Sequence, residues 1–193
     1  LHKEYRRQRQ MCIRDSPIPE HAMGAAPLGV ASPGRLNASG IGYLYLCEHY
    51  DIAIAEIKSS LNDLCTVAKF KTLSELNLVD LSQINKLSIF QFDNKEQYLM
   101  NYEILNKLDY SMRKLSSNQR SEIEYVPTEF ISDLIKYMKI DGVEVDGIKY
   151  ISTIDNETQD IVLFDENKAV QLKDELLTYQ VKKISYTNLK KVQ

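Results

Sequence analysis

The chain has 193 residues and a formal net charge of −3, which is length enough to bury a core of its own and favours one domain. The near balance of charge gives no reason to expect nucleic acid or a membrane surface as partner, and the apolar runs fall well short of the roughly 20 residues a membrane span needs. Three cysteines, Cys12, Cys47 and Cys65, form no CxxC pair and point to a reduced, cytoplasmic chain, and His2, His21 and His49 lack ligand spacing, so no metal site is expected.

The first residues stand apart. Leu1 to Gln10 is charged and has no apolar periodicity, and Met11-Cys12-Ile13-Arg14-Asp15-Ser16 resembles the translation of a common sequencing-adapter end. Residues 1–16 are therefore expected to be a non-native, adapter-derived segment and are left out of the fold. No apolar stretch follows the basic residues as a signal peptide requires. Residues 17–40, rich in Pro, Gly, Ala and Ser, predict an irregular approach to the core.

Tyr43-Leu44-Tyr45-Leu46-Cys47 predicts the first clear strand. A helix should follow, with Asp51 as N-cap and Ile52, Ala55, Ile57 and Leu61 on its apolar face. Cys65 to Lys71 reads as a second strand. From Asn94 to Ser117, Tyr98, Leu99, Tyr102, Leu105 and Leu108 recur at helical spacing and predict an amphipathic packing helix. Pro127 should stop any preceding helix and Thr128 cap a new one whose face carries Phe130, Ile131, Leu134, Ile135 and Met138. Asp141-Gly142 and Asp146-Gly147 are turn signals flanking Val143-Glu144-Val145. Ile148 to Ser152 and Ile161 to Phe164 read as strands, and Tyr179 to Tyr186 as an edge strand. Irregular interleaving without a repeat predicts a mixed α/β (α+β) domain.

Three residues stand out against this background: Arg35, Tyr45 and Glu56, ten and eleven residues apart, on what should be a loop, a strand and a helix. They supply an anion-binding group, a stacking platform and a carboxylate. Taken singly, each has an ordinary reading: a surface charge for Arg35, a core aromatic for Tyr45, a solvated carboxylate or a partner of Lys58 for Glu56.

Three blocks in this order resemble the RES domain family: Gly34-Arg35-Leu36-Asn37 through Glu56; Pro127-Thr128-Glu129-Phe130-Ile131; and Asp146-Gly147-Ile148-Lys149-Tyr150-Ile151-Ser152 with Val162-Leu163-Phe164. Met23-Gly24-Ala25 fits as well. The resemblance gives a RES-like domain over residues 17–167, with 168–193 as a C-terminal helix/strand extension packed on it. It implies a compact fold similar to ADP-ribosyltransferases, in a family whose studied members degrade NAD as toxins of toxin–antitoxin systems.

The residue types suit that chemistry. Cleaving the bond between nicotinamide and ribose builds oxocarbenium character that a carboxylate stabilises, which is the role expected of Glu56. A guanidinium pairs bidentately with a pyrophosphate, which suits Arg35. An aromatic face such as Tyr45 holds the cationic nicotinamide ring. Ser152, at a strand end, can hydrogen-bond the nicotinamide ribose or carboxamide. Asn37 reads either as a ligand contact or, the commoner role, as a turn-forming side chain.

The chain also departs from the family pattern. The family's first strand, with a further Arg beside an aromatic, should lie before residue 20; Tyr5-Arg6 resembles it but precedes the adapter-like segment, so the role is not carried over. Asp160 stands where the family tends to place Asn, and could repel a pyrophosphate or point outward. The doubled Asp-Gly pair reads as a small insertion. The expected function is a toxin cleaving NAD by hydrolysis or phosphorolysis, with NAD as substrate and no cofactor. The expected partners are a cognate antitoxin and a homodimer, with no nucleic acid and no membrane. The alternatives are a catalytically silent interaction module and an ADP-ribosyltransferase using the same site.

Overall fold

The computed structural model describes residues 4–6, 23–86, 93–113, 121–140 and 142–185. Nine strands and three helices build it: β1 (Glu4–Arg6), β2 (Leu44–Cys47), α1 (Tyr50–Glu56), β3 (Leu64–Thr72), β4 (Leu78–Asp80), α2 (Lys95–Arg113), α3 (Ser121–Tyr137), β5 (Lys139–Ile140), β6 (Val143–Glu144), β7 (Gly147–Ile151), β8 (Gln159–Leu163) and β9 (Ala169–Gln180). Seven strands form one sheet in the order β4-β7-β8-β2-β1-β3-β9, and β5 and β6 form a separate two-stranded hairpin. Every pairing in the large sheet is antiparallel except β4 with β7. The architecture is the mixed α+β single domain that the interleaved patterns predict.

The middle strands read as nearly continuous apolar runs because both of their faces are covered. Leu44, Leu46, Ile161 and Leu163 join Met23, Ala68 and Phe70 in one cluster. On the other face Ile148, Tyr150 and Val162 meet Leu36 and Tyr43, with Ile131 and Ile135 of α3 packed against them. Tyr43 completes this cluster edge-on to Phe164, ring centroids 5.1 Å apart. The sheet therefore holds α3 and the loop through Leu36 on the same face as Tyr45.

Several elements differ from the sequence reading. β1 lies between β2 and β3, pairing Tyr5 with Cys47 and Lys69, so residues 4–6 take part in a sheet from which residues 1–16 had been left out; both flanking strands meet its backbone through antiparallel ladders. α1 starts two residues earlier, at Tyr50, with His49 at its N-cap position, and Asp51 lies in the first turn. It ends at Glu56, and Leu61 beyond it is exposed. In α2, Tyr98 and Tyr102 stack on each other while Leu99 is exposed; the side chains of Leu105 and Leu108 lie outside the described residues.

α3 runs through Pro127 instead of starting there. Thr128 is not its cap: its hydroxyl lies 2.9 Å from the Tyr125 carbonyl and 2.5 Å from that of Arg35. These tertiary contacts, with Ile131 and Ile135 in the core, offset the roughly 3 kcal/mol that an interior proline costs a helix. Of the expected apolar face, Ile131 and Ile135 pack inward but Phe130, Leu134 and Met138 are exposed. The edge strand is β9, twelve residues running from Ala169 along β3, not Tyr179 to Tyr186; residues 186–193 lie outside the described residues.

Candidate active site

The loop from Ala31 to Gly42 is irregular by composition and ordered by one side chain. Asn37, 5% exposed, donates through Nδ2 to the carbonyls of Ser32, Ala38 and Ile41 at 3.0, 3.3 and 2.8 Å. Its Oδ1 accepts from the Tyr45 hydroxyl at 2.7 Å, and the same hydroxyl accepts from the Leu36 N–H at 3.1 Å. Gly34 makes room for this knot: a Cβ there would sit 2.2 Å from Asn37 Oδ1. Both polar atoms of Asn37 are engaged, within the loop and by Tyr45, as its reading as a turn-forming side chain expects.

Arg35 sits inside this knot. The residue is 7% exposed and its carbonyl is held by Thr128. Its Nε is buried without a hydrogen-bond partner among the described residues, and none of the described ion pairs includes it. Burying a guanidinium without a counter-charge is costly.

Glu56 and Ser152 meet at the other end of β2. Ser152, 1% exposed, donates its hydroxyl to Glu56 Oε1 at 2.6 Å, and its own N–H is fixed on the Thr158 carbonyl at 2.9 Å. Ile148, Tyr150 and Ser152 alternate along β7 onto the face that carries Tyr45, because Ile148 and Tyr45 both stand opposite Val162. Glu56 is the last residue of α1, and the short link from β2 into that helix brings its carboxylate back over the strand ends.

Asp160 does not point outward. It is 1% exposed and stands opposite Cys47 in β2 and Tyr150 in β7. Burial, and then the Asp160 carboxylate, push the Cys47 thiol well above its ordinary range. At the opposite end of β2 the Tyr43 hydroxyl donates to Asp133 at 3.3 Å, Lys136 lies over the Tyr43 ring at 4.9 Å, and burial followed by Asp133 raises the phenol.

The five residues singled out from sequence thus fall into two groups along one strand: Arg35, Asn37 and Tyr45, and Glu56 with Ser152. Sequence reasoning missed Thr128 as the anchor of Arg35. The available signal was the small polar pair Thr128 and Ser132, four residues apart beside inward-facing Ile131 and Ile135, which marks a buried polar flank on a helix. Asp146 was read as a turn former. Instead its carboxylate accepts from the Asn77 N–H at 2.8 Å and pairs with Lys168 at 3.2 Å, tying the β4 and β9 approaches to β7.

Among the described residues no group of His, Cys, Asp and Glu could hold a metal ion, and no helix is long and apolar enough to cross a membrane. No curated protein and no solved structure gives a significant match to the chain. A family model described as the RES domain does, over residues 14–185. That span holds Arg35, Asn37, Tyr45, Glu56 and Ser152 and covers most of the molecule, and the chain belongs to the RES domain family.

Proposed function

We propose that this protein degrades NAD by cleaving the bond between nicotinamide and ribose. The observation that carries the reading is Arg35, a buried guanidinium without a counter-charge among the described residues; a pyrophosphate supplies two oxygens in the geometry its fork accepts. Membership of the RES family and the Glu56–Ser152 pair support the same reading. The Tyr45 hydroxyl is tied to Asn37 and Leu36, which fixes its ring as a platform against which the nicotinamide stacks.

The chemistry follows from the carboxylate. As the glycosidic bond lengthens, positive charge grows on the ribose, and the Glu56 carboxylate stabilises it in a partly buried setting where charge interactions are strong. Ser152 holds Oε1 and so fixes the orientation of that carboxylate before the reaction. Nicotinamide leaves as a neutral amide. Water or phosphate then bonds to the anomeric carbon, giving ADP-ribose or its phosphate ester.

In this reading the protein is a toxin acting in the cytoplasm, where its substrate is abundant, and a cognate antitoxin holds it in check. Cys47 and Cys65 are free thiols, in keeping with a reducing compartment. The test is nicotinamide release from NAD by the purified protein, with products separated into ADP-ribose, its phosphate ester and protein-linked ADP-ribose. Glu56→Gln removes charge at nearly constant shape and is expected to lower turnover by about 100-fold or more. Turnover undiminished in Glu56→Gln would remove Glu56 from the chemistry, and failure of NAD to bind the folded protein would overturn the reading.

A further inference from the structure

α3 carries two buried polar atoms that the chemistry above does not use. Ser132 is fully buried, and its hydroxyl has no partner among the described residues. Glu129 is half-buried, with Oε1 shielded from solvent and likewise without a hydrogen bond. Arg35 Nε is a third buried polar atom without a partner among the described residues, and Thr128, next to Glu129 in α3, donates to the Arg35 carbonyl at 2.5 Å. Buried polar groups are otherwise nearly always paired.

The helix places them together. At about 100° per residue, Thr128, Ser132, Lys136, Glu129 and Asp133 follow one another around a single side of α3, while Val126, Phe130, Leu134 and Tyr137 occupy the other and are exposed. That side is fastened twice, to the site loop by Thr128 on Arg35 and to the entry of β2 by Asp133 under the Tyr43 hydroxyl. Glu129 and Ser132 lie between the two fastenings. Burial, and then Asp133, raise the Glu129 carboxyl above its ordinary range, so the fold holds there an acceptor that it has not itself satisfied.

Position along β2 decides which part of a dinucleotide this serves. Glu56 and Ser152 lie beyond Cys47 at one end, Arg35 and Tyr45 in the middle, and Tyr43 with α3 at the other. At about 3.4 Å per residue, Tyr43 and Cys47 are some 14 Å apart, on the scale of the distance between the two riboses of an extended dinucleotide. With the nicotinamide ribose at Glu56 and the pyrophosphate at Arg35, the second ribose falls beside α3.

Resting on the NAD reading above, we propose that Glu129 and Ser132 form the adenosine-ribose subsite. The Glu129 carboxylate accepts from the ribose hydroxyls and thereby excludes a 2′-phosphate, and the Ser132 hydroxyl donates to the same sugar. A carboxylate on a ribose diol is a recurrent means of choosing NAD over NADP, because it accepts from the 2′-hydroxyl and repels the phosphate that replaces it. Glu129 thus sets specificity without touching the reacting bond.

The experiment compares NAD with NADP as substrates by kcat/KM, and ADP-ribose with its 2′-phosphate by calorimetric binding, for the full chain and its Glu129→Gln and Ser132→Ala variants. Glu129→Gln is close in shape and removes a buried charge, so its fold should survive, as circular dichroism will show. The preference for NAD over NADP is expected to fall at least about tenfold in Glu129→Gln, the scale of one charged hydrogen bond. Ser132→Ala is expected to lose several-fold in affinity for both ligands, leaving their ratio unchanged. If wild type binds ADP-ribose and Glu129→Gln leaves both its affinity and the NADP ratio unaltered, the subsite assignment is overturned and the NAD reading stands. If wild type binds neither ligand, both fall.

Discussion

Asn37 shows how one amide can organise a loop. Its Nδ2 gathers three carbonyls of a Pro- and Gly-rich loop, and its Oδ1 receives the Tyr45 hydroxyl. Removing it takes one partner from three loop carbonyls and from the half-buried Tyr45 phenol, at about 1–3 kcal/mol for a lost interaction of this kind. Asn37→Ala is therefore expected to lower unfolding stability in urea by about 2–3 kcal/mol, and to weaken ADP-ribose binding because Arg35 hangs from the same loop. A variant with unchanged urea midpoint would show that the loop does not depend on the knot. The identity of Asn37 was visible in the sequence beside Arg35, but its bonds were not: turn former and ligand contact use the same amide, and its place among Ser32, Ile41 and Tyr45 is set by the folded loop. Arg35, Glu56 and Ser152 stood out in the sequence because their side chains suit one chemistry in family-like blocks. Thr128 and Asp160 were not, since burial of a small polar or acidic group depends on neighbours from distant strands and helices.

The two Asp-Gly pairs separate at the level of elements what they share in sequence. Gly142 has φ of +80° and open space around it, and links β5 to β6 as the hairpin signal predicts. Gly147 opens β7, with Leu78 on one side and Leu163 on the other. A Cβ there would lie 2.1 Å from the Val162 carbonyl oxygen. Gly147→Ala must push the β7 and β8 backbones apart and is expected to cost about 3 kcal/mol or more, whereas Gly142→Ala pays only the left-handed backbone penalty of about 1 kcal/mol. Urea unfolding of the two variants orders them; equal losses would mean that β7 and β8 yield easily. Strand and helix positions were largely legible because alternation and helical spacing are local. The start of α3 was not: proline chemistry is a local rule, and here the helix crosses it with Ile131, Ile135 and Thr128 anchored in the core.

For the whole molecule, composition and patterning disclosed the class but not the sheet order. Nothing in β2 or β3 announces that three residues from the start of the chain pair between them, since a ladder partner is chosen by backbone geometry across long separations. The two-faced core that results also sets how the protein responds to alkali. Cys47, with 0% exposure, is pushed up by burial and then by Asp160; burial also raises Cys65, and burial with Asp133 raises Tyr43. Below the ordinary thiol value the folded and unfolded chains are protonated alike at these groups, and their contribution is fully present. As pH climbs past about 8.5, an unfolded thiol releases its proton while the folded Cys47 keeps it, so stability falls with a slope approaching ~1.4 kcal/mol per pH unit from Cys47, and Cys65 adds to the fall. The fall steepens past about 10, where an unfolded phenol ionises and Tyr43 does not. Urea midpoints measured from pH 7 to 10.5 should show this decline. Cys47→Ala, whatever it costs at neutral pH, should lose about 1.4 kcal/mol per unit from the slope between 8.5 and 10. Parallel curves for the two proteins would mean that the Cys47 thiol ionises as readily folded as unfolded, and that Asp160 does not hold its proton in place.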